Sequence, residues 1–165
     1  MTAPSEEIIR QVREEFGPRV LLAPTLAISV RQPWAWAVVH GGKDIENRSK
    51  SVAGRFRSLA GQEIAIHAAY NMADQEYFEA VEWMARLGVK PPPPDDLWYG
   101  GIIGVATVGA VLEKSSSPWF DGPFGVRLEK PRAVDFIGCR GWPGVFKLEQ
   151  SGVSKTDFTR SAARA

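Results

Sequence analysis

The chain has 165 residues, 44% hydrophobic and 24% charged, a balance typical of a globular domain. Lysine and arginine number 20 against 19 acidic residues, so no overall basic charge points to nucleic acid. The single cysteine, Cys139, excludes an internal disulfide and a multi-cysteine zinc site. No apolar run reaches the roughly 18–20 residues of a membrane span. We therefore expect a cytoplasmic protein without a membrane partner.

The local charge is less even than the total. Residues 43–57 and 127–147 each carry five basic side chains against two acidic ones. Residues 74–86 carry four acidic side chains against one basic. This pattern predicts a basic face that opposes an acidic helix.

Hydrophobic periodicity and breaker residues define the elements in chain order. In the first third of the chain the patterns predict a helix from Ser5 to Phe16, a strand from Leu26 to Val30, a helix from Trp34 to His40 and an extended segment from Asp44 to Ser49. The middle third is predicted to hold a loop or irregular strand from Gly54 to Gly61, a strand from Glu63 to Ala68, a helix from Asn71 or Asp74 to Gly88 and a stiff connector from Pro91 to Pro94. Three further strands are predicted from Ile102 to Leu112, Phe124 to Leu128 and Gly144 to Leu148. Gly41-Gly42 ends the second helix.

Five or six strands with short helices, and no regular βαβ alternation, predict an α+β fold that is mainly β. We expect a small mixed β-barrel flanked by short helices. The predicted organisation is an N-terminal helical extension over residues 1–24, one domain over 25–150 and a disordered tail over 151–165.

The stretch from Ser29 to Arg48 concentrates the residue types of a binding site. Lys43 and Arg48 beside Glu46 can hold a phosphate and a base edge. The same three side chains can instead form an ion-pair network that locks the strand to the helix. On a regular strand Lys43 and Glu46 would point to opposite faces, so they share one cleft only if the backbone bends near the glycines.

The spacing Gly41-x-Lys43-x-x-Glu46-x-Arg48 resembles the GxKxxExR signature of the ASCH domain family. The resemblance runs over about residues 26–149. Its other matching segments are Ser29 to Trp34 (SxxQPW), Gly54-Arg55, Ile64 to Ala68, Gly101 to Gly104, Phe124 to Pro131 and Gly141 to Leu148.

The resemblance implies a PUA-like β-barrel with a cleft beside the signature, and a role in RNA-linked processes. Two groups of relatives are enzymes: one cleaves single-stranded RNA with a divalent metal, and one deacetylates acetylated cytidine. In the second group a threonine nucleophile stands at the place of Glu46, so the glutamate here argues against that mechanism. Ser49-Lys50 also departs from the aromatic residue that many relatives carry there.

Further candidate ligand contacts lie outside the signature. Arg31 and Gln32 can read a base edge or cap the helix, and Trp34 can stack a base or belong to the core. His67 is either a structural residue or a ligand contact.

The loop residues Arg140 and Trp142, with Trp119, can form a charged and stacking rim, or the two tryptophans can close the barrel end. We expect Cys139 to be an inert small hydrophobe.

The sequence therefore predicts a module that binds RNA or a nucleotide-like ligand. The predicted ligand-binding residues are Arg31, Gln32, Trp34, Lys43, Glu46, Arg48, His67 and Arg140. The alternatives are a hydrolase of RNA or modified nucleosides, with Lys43 and Glu46 catalytic, and a protein-interaction adaptor. No resident cofactor or metal is expected, except a divalent metal if the protein is a ribonuclease.

Overall fold

The structure, a computed structural model, describes Glu7, Arg10 and residues 23–162. The elements in chain order are β1 (Leu26–Val30), α1 (Trp34–His40), β2 (Ile45–Arg48), α2 (Lys50–Phe56), β3 (Glu63–Ala68), α3 (Asp74–Arg86), β4 (Gly101–Leu112), β5 (Phe124–Gly138), β6 (Val145–Lys147) and α4 (Lys155–Ala162). The predicted helix from Ser5 to Phe16 lies outside the described residues, apart from Glu7 and Arg10.

The six strands form one sheet in the order β2-β5-β4-β3-β1-β6. Only β1 and β3 pair in parallel, and every other neighbouring pair is antiparallel. The sheet curls into a half-barrel with the short helices beside it, so the fold is α+β and mainly β, as predicted. Irregular registers between β4 and β5 accompany this curl, because β-bulges increase local twist and bend a strand.

Helix α1 packs close to the sheet because β4 presents a glycine to it. A Cβ at Gly104 would lie 2.6 Å from Val39 Cγ2 and 2.8 Å from the Arg132 carbonyl oxygen. The largest core cluster is formed by apolar side chains of β1, α1, α2, β3, β4 and β5. This packing fixes the end of α1, where the signature residues begin.

Several predicted elements are confirmed, including β1, α1, β3 and the helix that begins at Asp74. The prediction of a loop or irregular strand after Gly54 is wrong, because α2 runs from Lys50 to Phe56 and a 3₁₀ turn follows. Ala53 and Phe56 are buried three residues apart, a helical spacing that the nearby glycine obscured.

Strand β5 is much longer than predicted and continues to Gly138. Its middle third is exposed and contains Pro131, so the sequence offers no apolar alternation there. The predicted disordered tail is wrong for residues 151–162, since α4 is helical there and Val153 and Phe158 are buried in a core cluster that includes Ala27, Ala65 and Phe146. No helix among residues 23–162 is long and apolar enough to cross a membrane.

Candidate functional site

The glycine pair after α1 turns the chain so that Lys43 meets Glu46. Gly42 has φ +76°, a conformation that glycine adopts without strain. The Gly41 and Lys43 amides both donate to the Ala37 carbonyl oxygen, at 2.9 and 3.0 Å, which fixes the turn. The backbone therefore bends near the glycines, which is the condition under which Lys43 and Glu46 can share one cleft.

Lys43, Glu46 and Arg48 form a chain of two ion pairs. Lys43 Nζ lies 2.6 Å from Glu46 Oε2, and Arg48 Nη2 lies 3.0 Å from Glu46 Oε1. Lys43 Nζ also donates to the Ile45 carbonyl oxygen. Lys43 is 5% exposed and Glu46 is 8% exposed, so both charges are almost fully desolvated. Two cations share one carboxylate, which leaves the group positive.

Arg48 joins strands that are distant in the sheet order. Its Nη2 donates to the Ser29 carbonyl oxygen at 2.8 Å, linking β2 to β1 although three strands separate them. This bond spans the open side of the curled sheet. Arg48 Nε is buried and has no hydrogen-bond partner among the described residues. One strong donor of the guanidinium therefore remains unused.

A cleft of about 780 Å³ opens beside this chain. Its walls come from the end of β1, from β2, from residues after β3 and from the loop 139–144. Six of the predicted ligand-binding residues line it: Arg31, Trp34, Glu46, Arg48, His67 and Arg140. Three arginines face one glutamate, so the cleft favours an anionic ligand.

Loop 139–144, which forms one wall of the cleft, carries an arginine that stacks on a tryptophan. The Arg140 guanidinium lies 4.1 Å from the ring centroid of Trp142, within the range of a cation–π contact. Trp142 Nε1 is buried without a hydrogen-bond partner among the described residues. Tyr70, strongly exposed, and Asn71 line the same cleft and were not singled out from the sequence. Burial raises the pKa of the Cys139 thiol, which agrees with an inert side chain.

Arg31 reaches the cleft from the end of β1. Its guanidinium pairs with Glu76 on the acidic helix α3, and its side chain is largely exposed. The predicted acidic helix therefore meets the basic cleft at this contact. An exposed pair of this kind exchanges readily with solvent or ligand.

His67 is held on both ring nitrogens. Nε2 lies 3.0 Å from the Cys139 carbonyl oxygen, which only accepts, so Nε2 carries the proton. Nδ1 of the neutral ring then accepts from the Ser29 hydroxyl at 3.3 Å. Burial lowers the pKa of His67, which favours this neutral ring. The histidine is a positioning residue that ties loop 139–144 to the sheet.

We expect the stability of the protein to fall as the pH drops below about 6.5, the usual pKa of histidine. Below that pH the unfolded chain binds a proton that folded His67, with its lowered pKa, does not bind. The free energy of unfolding then decreases by at most about 1.4 kcal/mol per pH unit until the folded pKa is reached. Urea unfolding from pH 7.5 to 5 should show this slope, and His67→Gln should show a smaller one. Equal slopes in the wild type and in His67→Gln would contradict the assignment of this pH dependence to His67.

Two predicted residues lie outside the large cleft. The Gln32 side chain is buried: it accepts from the Trp36 amide at 2.9 Å and donates to the Trp98 carbonyl oxygen at 2.8 Å. Of the two roles considered for it, the structure supports the helix cap. Lys43 lines a second, smaller pocket of about 260 Å³ instead.

The smaller pocket brings together residues from four parts of the chain. It is lined by Trp34, Lys43, Glu46, Asn47, Trp83, Trp119 and Asp121. Trp83 lies on the acidic helix and Asp121 in the loop before β5, so no local pattern connected them to the signature. Trp119 is buried in a core cluster with Ala37, Ile45 and Met84 rather than forming an exposed rim.

Among residues 23–162, no group of three histidine, cysteine, aspartate or glutamate side chains is arranged to hold a metal ion. His40 lies beside Trp36, away from the large cleft that His67 lines. No protein-family profile and no curated protein matches the chain.

Proposed function

We propose that this chain is a PUA-like module of the ASCH type that binds single-stranded RNA or a nucleotide-like ligand. The observation that carries the proposal is the large cleft, in which three arginines and the aromatic side chains of Trp34, Tyr70 and Trp142 face one glutamate. Single-stranded nucleic acid is held by such combinations of basic grooves and stacking surfaces.

The arginines of the cleft support the same ligand class. Arg31, Arg48 and Arg140 all line it. Phosphate and ribose groups carry acceptor oxygens, and arginine binds phosphate through more than one N–H group.

The geometry favours binding over hydrolysis by Lys43 and Glu46. Lys43 Nζ donates to both the Ile45 carbonyl oxygen and Glu46, and the second Glu46 oxygen is held by Arg48. Neither group is free to take a proton from a nucleophile in the large cleft. We therefore assign the pair a structural and electrostatic role.

Arg140→Ala is expected to weaken the binding of labelled single-stranded RNA about fivefold or more and to reduce its salt dependence. Loss of one phosphate contact should lower the slope of log K against log salt by about 0.7. Fluorescence anisotropy at about 50–200 mM salt, the range over which such contacts are progressively screened, measures both quantities. Arg57→Ala is the matched control, because it removes an exposed arginine that lines neither pocket.

Equal and salt-insensitive binding by the wild type and Arg140→Ala would contradict the proposal. Incubating RNA and acetylated cytidine with and without manganese separates binding from catalysis. Turnover that disappears in Glu46→Gln would favour the hydrolase. Absence of both RNA affinity and turnover, with capture of a fixed protein partner, would favour the adaptor.

A further inference from the structure

The two pockets adjoin each other but differ in charge. Trp34, Glu46 and Asn47 line both of them. The larger cleft has three arginines against one glutamate, whereas the smaller pocket has Lys43 against Glu46 and Asp121. A phosphate is therefore favoured in the larger cleft and disfavoured in the smaller pocket.

The walls of the smaller pocket are suited to a flat aromatic ring. Trp34, Trp83 and Trp119 come from α1, from α3 and from the loop after β4. Trp119 is buried, while the other two indoles remain partly exposed. The Trp34 and Trp119 rings have centroids 6.5 Å apart at 85°, so a ring stacked on one indole meets the other edge-on. Both arrangements are favourable for aromatic pairs.

The polar groups of this pocket are of two kinds. Asn47 is held by the fold: its Nδ2 donates to the Trp119 carbonyl oxygen at 2.9 Å, and its Oδ1 accepts from the amides of Asp121 and Gly122. These bonds hold the loop 119–122 against β2. The exposed Asp121 carboxylate makes no hydrogen bond or ion pair with any described residue. It is an acceptor available to a ligand.

We infer that the smaller pocket is a nucleobase subsite for a base that carries an exocyclic amine, such as cytosine or adenine. The inference rests on the proposed function, which places the phosphate of the same nucleotide in the larger cleft. Trp83 and Trp34 supply the stacking surface, and Asp121 accepts a hydrogen bond from the exocyclic amine. A carboxylate pairs with such an amine but repels the carbonyl oxygen that uracil presents at the same place.

Titration calorimetry with CMP, AMP, UMP and ribose 5-phosphate tests the assignment on the full chain. CMP and AMP should bind about 5- to 150-fold more tightly than ribose 5-phosphate, the range expected from stacking one base. Trp83→Leu should lower CMP affinity toward that of ribose 5-phosphate and leave ribose 5-phosphate binding unchanged. Asp121→Asn, an exposed change that does not threaten folding, should reduce the preference for CMP over UMP by about fivefold or more.

The outcomes separate this inference from the proposed function. Equal affinity for CMP and ribose 5-phosphate, both weakened by Arg140→Ala, would overturn the base subsite while the phosphate cleft stands. If Asp121→Asn leaves the ratio of CMP affinity to UMP affinity unchanged, the assignment of Asp121 as the acceptor for the exocyclic amine is overturned. Binding of tetramethylammonium with no nucleotide binding would identify the pocket as a cation cage and overturn both ideas. Absence of binding by RNA and by all four compounds would also overturn both.

Discussion

Glu46→Ala is expected to lower the free energy of unfolding by about 3–5 kcal/mol. The change removes the only carboxylate paired with the buried Lys43 ammonium among the described residues, and it leaves that charge without a counter-ion. Removing one partner of a buried ion pair costs this much because the other charge stays desolvated. The loss should appear in urea unfolding at pH 7 as a lower midpoint with an unchanged slope.

Glu63→Ala is the matched control. Glu63 pairs with Arg132 at 2.7 Å, but the two side chains are 26% and 51% exposed. Solvent screens such a pair, so its loss should cost between 0 and about 1 kcal/mol. Similar losses in Glu46→Ala and Glu63→Ala would show that Lys43 finds another way to be solvated.

A double substitution tests the origin of the effect. Lys43→Met with Glu46→Leu replaces both charges by apolar side chains of similar size and should recover most of the stability lost in Glu46→Ala. Arg48 also loses its carboxylate partner in this variant, but we expect little cost there. Its side chain remains partly exposed to solvent and keeps its hydrogen bond to the Ser29 carbonyl oxygen. If the double variant is as unstable as Glu46→Ala, packing and not the unpaired charge causes the loss.

Local patterns in the sequence were enough to predict the wall of the site that contains the signature residues. The turn at Gly41-Gly42, helix α1 before it and strand β2 after it are short-range features, so the meeting of Lys43, Glu46 and Arg48 followed from a bend of the backbone. His67 could be placed because the short apolar segment of β3 is itself a local feature that predicts a strand. Gln32 was an ambiguous case, since a glutamine just before Pro33 serves equally well as a helix cap.

The remaining wall depends on contacts between distant segments. Loop 139–144 approaches β1 and β3 only because β5 continues to Gly138, and the exposed middle of that strand hides its length from pattern analysis. Trp83 and Asp121 reach the signature through the packing of α3 and through hydrogen bonds to Asn47. A hydrophobic pattern predicts that a residue is buried; it does not identify the residue's neighbours.

Gly141→Ala should displace the loop that carries Arg140 and Trp142. A Cβ at residue 141 would lie 2.6 Å from His67 Nδ1 and 2.9 Å from Nε2, and nearer still to Cε1. The imidazole cannot move aside, because both its nitrogens are hydrogen-bonded and its ring packs edge-on against Phe146. We expect a loss of about 1–3 kcal/mol in the free energy of unfolding, as for other overpacked sites.

The same substitution should weaken RNA binding about tenfold or more, because both cleft residues of the loop move together and several ligand contacts are lost at once. Gly54→Ala is the control for adding a methyl group. Apart from its chain neighbours and the backbone of its own helix, no described residue has an atom within 4 Å of a Cβ at that position in α2, so the change should stabilise the helix by up to about 1 kcal/mol and leave binding unchanged.

A double-mutant cycle with His67→Ala decides whether the imidazole is the cause. Once the ring is removed, the methyl group added at position 141 has room, so Gly141→Ala should cost much less in that background. The coupling free energy should then be of the order of the overpacking cost, about 1–3 kcal/mol. Additive losses would instead mean that the added methyl group strains the loop itself, and that His67 does not set the position of Arg140 and Trp142 in the cleft.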